Sequence, residues 1–88
     1  MTREMITNVF NKAERDYRIT LGRVKYFYNR EQFDRIPWDK LNHYDDIMNN
    51  AIIAMMNVEF KSDKVKARIL ERMTEKYNAL DEKRAKFL

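Results

Sequence analysis

The 88-residue chain has no cysteine, one glycine, one proline, one histidine and one serine. Each scarcity removes a class of protein. Without cysteine there are no disulfides and no thiolate metal sites, and a reducing cytoplasm is the expected setting. A single glycine cannot supply a phosphate-cradling loop, and one glycine with one proline leaves little for hairpin turns. The only serine, Ser62, sits where a helix is expected to begin, and the only histidine is His43. No nucleophile therefore has an evident base, and the carboxylate pairs Asp45-Asp46 and Asp81-Glu82 are adjacent on helix rather than opposed across a cleft. The expectation is a protein that is not an enzyme and carries no cofactor.

Long apolar runs are missing too. The longest is Ala51–Met56, six residues, against about 20 for a membrane span. The opening MTREMITNVF lacks the unbroken apolar core of a signal peptide. No membrane partner is expected, and the predicted location is cytoplasmic.

What remains is charge and helical periodicity. The chain is 44% hydrophobic and 36% charged, too apolar to read as disordered. At this length one domain, residues 1–88, buries only about 60% of its unfolded surface. The core is thin, and a second copy or a partner would add burial.

Charge is unevenly spread: residues 1–36 carry +3, residues 37–60 carry −3 and residues 61–88 carry +4. An acidic middle helix between two basic ones favours correct pairing of antiparallel neighbours. The predicted fold is all-α, a small three-helix antiparallel bundle with helices near 3–30, 37–60 and 63–85, open to completion by oligomerisation.

In the first helix Ile6, Phe10, Ala13, Tyr17, Leu21, Val24 and Tyr28 share one stripe at about 100° per residue. Thr2 is the expected N-cap. Gly22 costs about 1 kcal/mol relative to alanine, so Ile19–Gly22 is the place to look for a kink. The stripe nevertheless passes Gly22 without a phase break, which favours one helix over a helix-turn-helix. Lys12, Arg15, Arg23, Tyr26 and Arg30 lie on the opposite side. Either they are a solvated face, or Arg15, Arg23 and Arg30 hold phosphates while Tyr26 stacks on a base.

Asn29 to Ile36 breaks the pattern, with Phe33 and Ile36 expected to fold back onto the bundle. Pro37 suits the first turn of the second helix. There Trp38, Leu41, Tyr44, Met48, Ala51, Ile52 and Met55 form the stripe, and Ile53, Met56 and Phe60 widen it. A helix apolar over so much of its circumference is covered from more than one side. If the other two helices do not cover it, Ile53, Met56 and Phe60 become a self-association or partner surface. Asp39, His43, Asp46 and Asn50 share the polar side; one histidine makes a poor transition-metal site, and a His43–Asp46 ion pair is the expectation.

Ser62 should cap the third helix, with Asp63 at its positive end. Val65, Ile69, Met73, Tyr77, Leu80 and Phe87 are its stripe. Leu70, Tyr77 and Arg84 recur at sevens, as do Met73, Leu80 and Phe87, too briefly to establish a coiled coil.

Two functions follow as expectations. The first is a non-catalytic helical interaction module that self-associates or docks on another protein to regulate or inhibit it. Its small size and Asn/Lys/Tyr/Ile-rich composition suit accessory proteins of phages or mobile elements. The second is a nucleic-acid or anionic-nucleotide binder using Arg15, Arg23, Tyr26 and Arg30.

Overall fold

The computed structural model describes all of Met1–Leu88 and contains three helices and no strand: α1 (Arg3–Asn29), α2 (Trp38–Met56) and α3 (Asp63–Ala85). Phe33–Arg35 adds one 3-10 turn between α1 and α2. The molecule measures 51 × 20 × 14 Å, and α1, at about 1.5 Å per residue, runs most of its length.

The helix starts obey local chemistry. The Thr2 hydroxyl accepts from the Met5 amide at 3.2 Å, and the Ser62 hydroxyl accepts from the Val65 amide at 3.3 Å. Each satisfies one amide that the helix cannot. Pro37 stands at the capping position, one residue before the first turn, and its carbonyl accepts from the Leu41 amide at 3.1 Å.

Helix α1 runs unbroken through Gly22, whose φ is not positive. No kink forms at Ile19–Gly22 in the sense of a break in the helix, and there is no turn for a helix-turn-helix. The helix ends by a Schellman closure. The Gln32 amide donates to the Phe27 carbonyl at 2.9 Å and the Glu31 amide to the Tyr28 carbonyl at 3.0 Å. Such a closure needs a left-handed residue, usually glycine; here it is Glu31, at φ 58°.

Helix α2 stops at Met56, four residues short of the expected end at 60. The Asn57 carboxamide donates to the Ile53 carbonyl at 3.1 Å, and the Asn57 amide turns back to Ala54 and Met55. A short amide side chain that bonds the preceding turn competes with helix propagation. Val58 and Phe60 still pack on the core, from an irregular segment.

The core is one cluster of Ile6, Phe10, Ala13, Tyr17, Leu21 and Val24 from α1, Leu41, Met48, Ala51 and Met55 from α2, Met73 and Leu80 from α3, and Ile36 from the connection. The expected stripe of α1 is buried throughout except Tyr28, and Thr20 joins it with its hydroxyl donating to the Asp16 carbonyl at 2.8 Å. Ile36 folds back as expected. Phe33 does not: it is exposed and meets the Tyr28 ring edge-on, centroids 5.5 Å apart.

Helix α3 contributes two buried residues in 23. Its two rows at sevens serve different neighbours within the chain. Met73 and Leu80 enter the core and Phe87 meets Tyr28 at 5.2 Å, while Arg84 of the other row turns to Asn42, Asp45 and Trp38 of α2.

Candidate functional site

The residues most able to contact something outside the chain lie along both sides of the first turns of α1. Ile6, Phe10 and Ala13 are buried. At about 100° per residue, Met5 and Val9 fall to one side of that buried row and Arg3, Thr7 and Asn11 to the other. Two grooves result, with different chemistry.

On the α2 side, Met1, Ile6 and Val9 face Ile47, Asn50, Ala51 and Ala54 across a shallow groove of about 180 Å³. Its lining contains one polar residue, Asn50, and no charged side chain. Met5 (51% exposed) and Met1 (75%) lie at the same end of the molecule. Sequence reasoning named Ile53, Met56 and Phe60 as the apolar surface. Ile53 and Met56 are exposed, at 48% and 55%, but Phe60 is half-buried. The Arg3 guanidinium stands 4.8 Å from its ring centroid and the Lys66 ammonium 5.8 Å. Met1, Met5 and Val9 were missed, although their spacing of four marks a helical row.

On the α3 side, Arg3, Thr7 and Asn11 face Arg68, Arg72 and Lys76 over a floor of Phe10, Ile69 and Met73. This groove holds about 340 Å³ and is lined by four cations and no acid. Sequence reasoning missed it as well. Arg68, Arg72 and Lys76 recur at four-residue spacing, but Glu71 and Glu75 between them made the helix read as a mixed solvated face.

The basic residues that were singled out lie elsewhere. Arg15, Arg23, Tyr26 and Arg30 are all exposed on α1 or at its C-cap. The Arg30 guanidinium sits 4.3 Å from the Tyr26 ring centroid, so one face of that ring is covered by a cation–π contact. These four line none of the grooves described above.

A polar cluster joins all three helices farther along the bundle, from the middle of α1 to the last turn of α3. Arg84 of α3 donates to the Asn42 side chain, lies 4.0 Å from Asp45 and stands 6.0 Å from the Trp38 ring. Tyr17 of α1 and Tyr77 of α3 adjoin it. Burial pushes the Tyr77 phenol well above its ordinary value of 10.0, and the Asp45 and Asp81 carboxylates add to the rise. Burial likewise raises Tyr17, with Arg84 opposing and Asp45 and Asp81 reinforcing. The buried Tyr17 hydroxyl has no hydrogen-bond partner. Two protonated phenols and a neutralised Asp–Arg pair suit a clasp between helices rather than proton transfer.

Arg84–Asp45 is the only ion pair between helices; the other pair in the structure is Arg18–Glu14, one turn apart on α1. The charge complementarity of the acidic middle helix thus reaches contact at one point. His43 makes no ion pair with Asp46, and its ring tilts against Tyr44 at 5.4 Å. No three acidic or histidine side chains converge as a metal site would require. No helix is long and apolar enough to cross a membrane.

No protein-family model, curated protein or solved structure matches this chain.

Proposed function

We propose that this chain is a non-catalytic helical interaction module, an antiparallel three-helix bundle whose contact surface is the apolar side of α1 and α2. Its occupant is a second copy of the chain. The observation that carries this reading is the uncharged groove bounded by Met1, Val9, Ile47 and Ala54. Met5, Ile53 and Met56 are further exposed apolar side chains of α1 and α2.

Two physical arguments favour a like partner. A chain of this size buries little on its own, with 13 residues in its apolar core, so association adds stabilising burial that the monomer lacks. A groove without charge gives a partner of opposite sign no handle, and it imposes no Coulombic penalty on two basic chains that meet there. Methionines adapt to a partner's shape at modest strain, and Met1 lines the groove. Regulation or inhibition of another protein would follow if the dimer presents its remaining surfaces to that protein.

Light scattering across a hundredfold range of protein concentration tests this. A dimer is expected for the native chain and a monomer for Met5→Lys with Val9→Lys. A native chain that stays monomeric at the highest concentration ends the proposal.

A further inference from the structure

We infer that the groove between α1 and α3 is a binding site for the phosphate backbone of nucleic acid, separate from the apolar surface and independent of it. Arg3, Arg68, Arg72 and Lys76 converge there, and no carboxylate lines the groove. None of the four is in an ion pair, since Arg18–Glu14 and Arg84–Asp45 are the only pairs within 4.0 Å. The chain has 14 acidic residues, so the absence of a counter-charge reflects placement rather than supply. Bringing four like charges together opposes folding slightly, and a polyanion relieves that repulsion.

The spacing suits a chain of phosphates rather than one compact anion. Arg68, Arg72 and Lys76 follow at four-residue intervals, roughly 6 Å apart along the helix. That is the scale on which phosphates succeed one another along a strand. Asn11 on the facing wall offers an uncharged donor of the kind that fixes register on phosphate oxygens, while the Thr7 hydroxyl donates to the Arg3 carbonyl at 3.0 Å. The Arg3 guanidinium also stands 4.8 Å from the Phe60 ring, which lies outside the groove lining.

The floor decides the mode. Its one aromatic, Phe10, is 2% exposed and cannot accept a stacked base. Single-strand binders rely on such stacking. The bases therefore face away from the protein, and binding is tolerant of sequence and depends on charge. Tyr26, Arg15, Arg23 and Arg30 take no part.

The test is fluorescence anisotropy of the full chain with a labelled DNA duplex and with a labelled single strand of one of its halves, between 50 and 200 mM NaCl. Four phosphate contacts give a slope of about −3.6 in log affinity against log salt for duplex and about −2.8 for single strand. Duplex affinity is then expected to fall about a hundredfold over that range. Arg68→Ala with Arg72→Ala should flatten the slope by about 1.8 and reduce the fall to roughly tenfold. Arg15→Ala with Arg23→Ala should leave both unchanged. Circular dichroism melts establish that each exposed-arginine variant folds.

Absence of salt-dependent binding to either DNA at 50 mM overturns the inference. So does loss of binding in the Arg15/Arg23 variant alone, which would move the site to the outer face of α1. Equal or tighter binding to poly-glutamate, or to vesicles containing phosphatidylserine, would replace nucleic acid by an acidic protein or a membrane surface and sink it as well.

Discussion

The two sides of the first turns of α1 share a buried row and differ in almost everything else. Toward α2, Met1 and Val9 meet Ile47 and Ala54 without a charge between them. Toward α3, Arg3, Thr7 and Asn11 meet Arg68, Arg72 and Lys76. Ile6, Phe10 and Ala13 are the buried row of α1 at this end, and the residues on either side of that row, with those of the facing helix, set the chemistry of each groove. The exposed residues of each groove are distinct from the buried row, so a surface can be altered without dismantling the core. The comparison can be broken at its shared base or sharpened on either side.

Breaking the base has the largest effect. Phe10 is fully buried and floors the α3-side groove, and Phe10→Ala is expected to lower stability by about 3–5 kcal/mol. The urea midpoint should collapse, and both binding activities should go with it. A loss under about 1 kcal/mol would mean that α1 is not pinned there.

The next effect separates the sides. Val9→Lys should weaken self-association at least tenfold, about 1.4 kcal/mol, while the salt dependence of DNA binding stays as in the native chain. Arg68→Ala with Arg72→Ala should do the reverse. If one variant damages both activities, the grooves are not independent surfaces.

Alkali should act at the polar cluster rather than in either groove. Tyr17 and Tyr77 have folded-state values raised above 10.0, with Asp45, Asp81 and Arg84 around them. Their unfolded forms lose protons first, so the folded state holds more protons above pH 10 and stability falls as pH rises. The contribution is complete below pH 10 and is lost above it. Urea midpoints at pH 8, 10 and 11 should drop less for Tyr77→Phe than for the native chain. Amide exchange should speed up in α3 before it does so in α1 and α2.

The smallest effects lie outside both grooves. Glu31 holds a left-handed conformation at φ 58°, and Glu31→Gly is expected to stabilise by about 1 kcal/mol. A Cβ at Gly22 would meet nothing within 4 Å, so Gly22→Ala should add about 0.5–1 kcal/mol. Thermal melts measure both, and neither change should alter self-association or DNA binding.

Much of the fold was legible from side-chain pattern. Thr2 and Ser62 cap where a hydroxyl before a periodic run implies, and the stripe from Ile6 to Val24 is the buried face of α1. The end of α2 was not legible, because Val58 and Phe60 pack on the core whether or not the backbone stays helical. Only the Asn57 side chain distinguishes the two cases. Ile53 and Met56 were legible as surplus apolar surface. Phe60 was not, since its cover comes from Arg3, 57 positions earlier in the chain. Each wall of the cationic groove is a visible four-residue repeat. That Arg3 meets Arg68 depends on which helices become neighbours and how each is rotated, and a pattern local to one helix does not contain that.

Helix α3 has only Met73 and Leu80 buried, with Ile69, Leu70 and Tyr77 partly buried against the core, so it is the segment most easily released by local opening. It is also one wall of the cationic groove. The groove exists only while that helix stays in place, and an occupant would act as a strut, lowering the rate at which the wall swings out. Bound polyanion should therefore slow proteolysis within residues 63–85 well before it changes the global melting temperature.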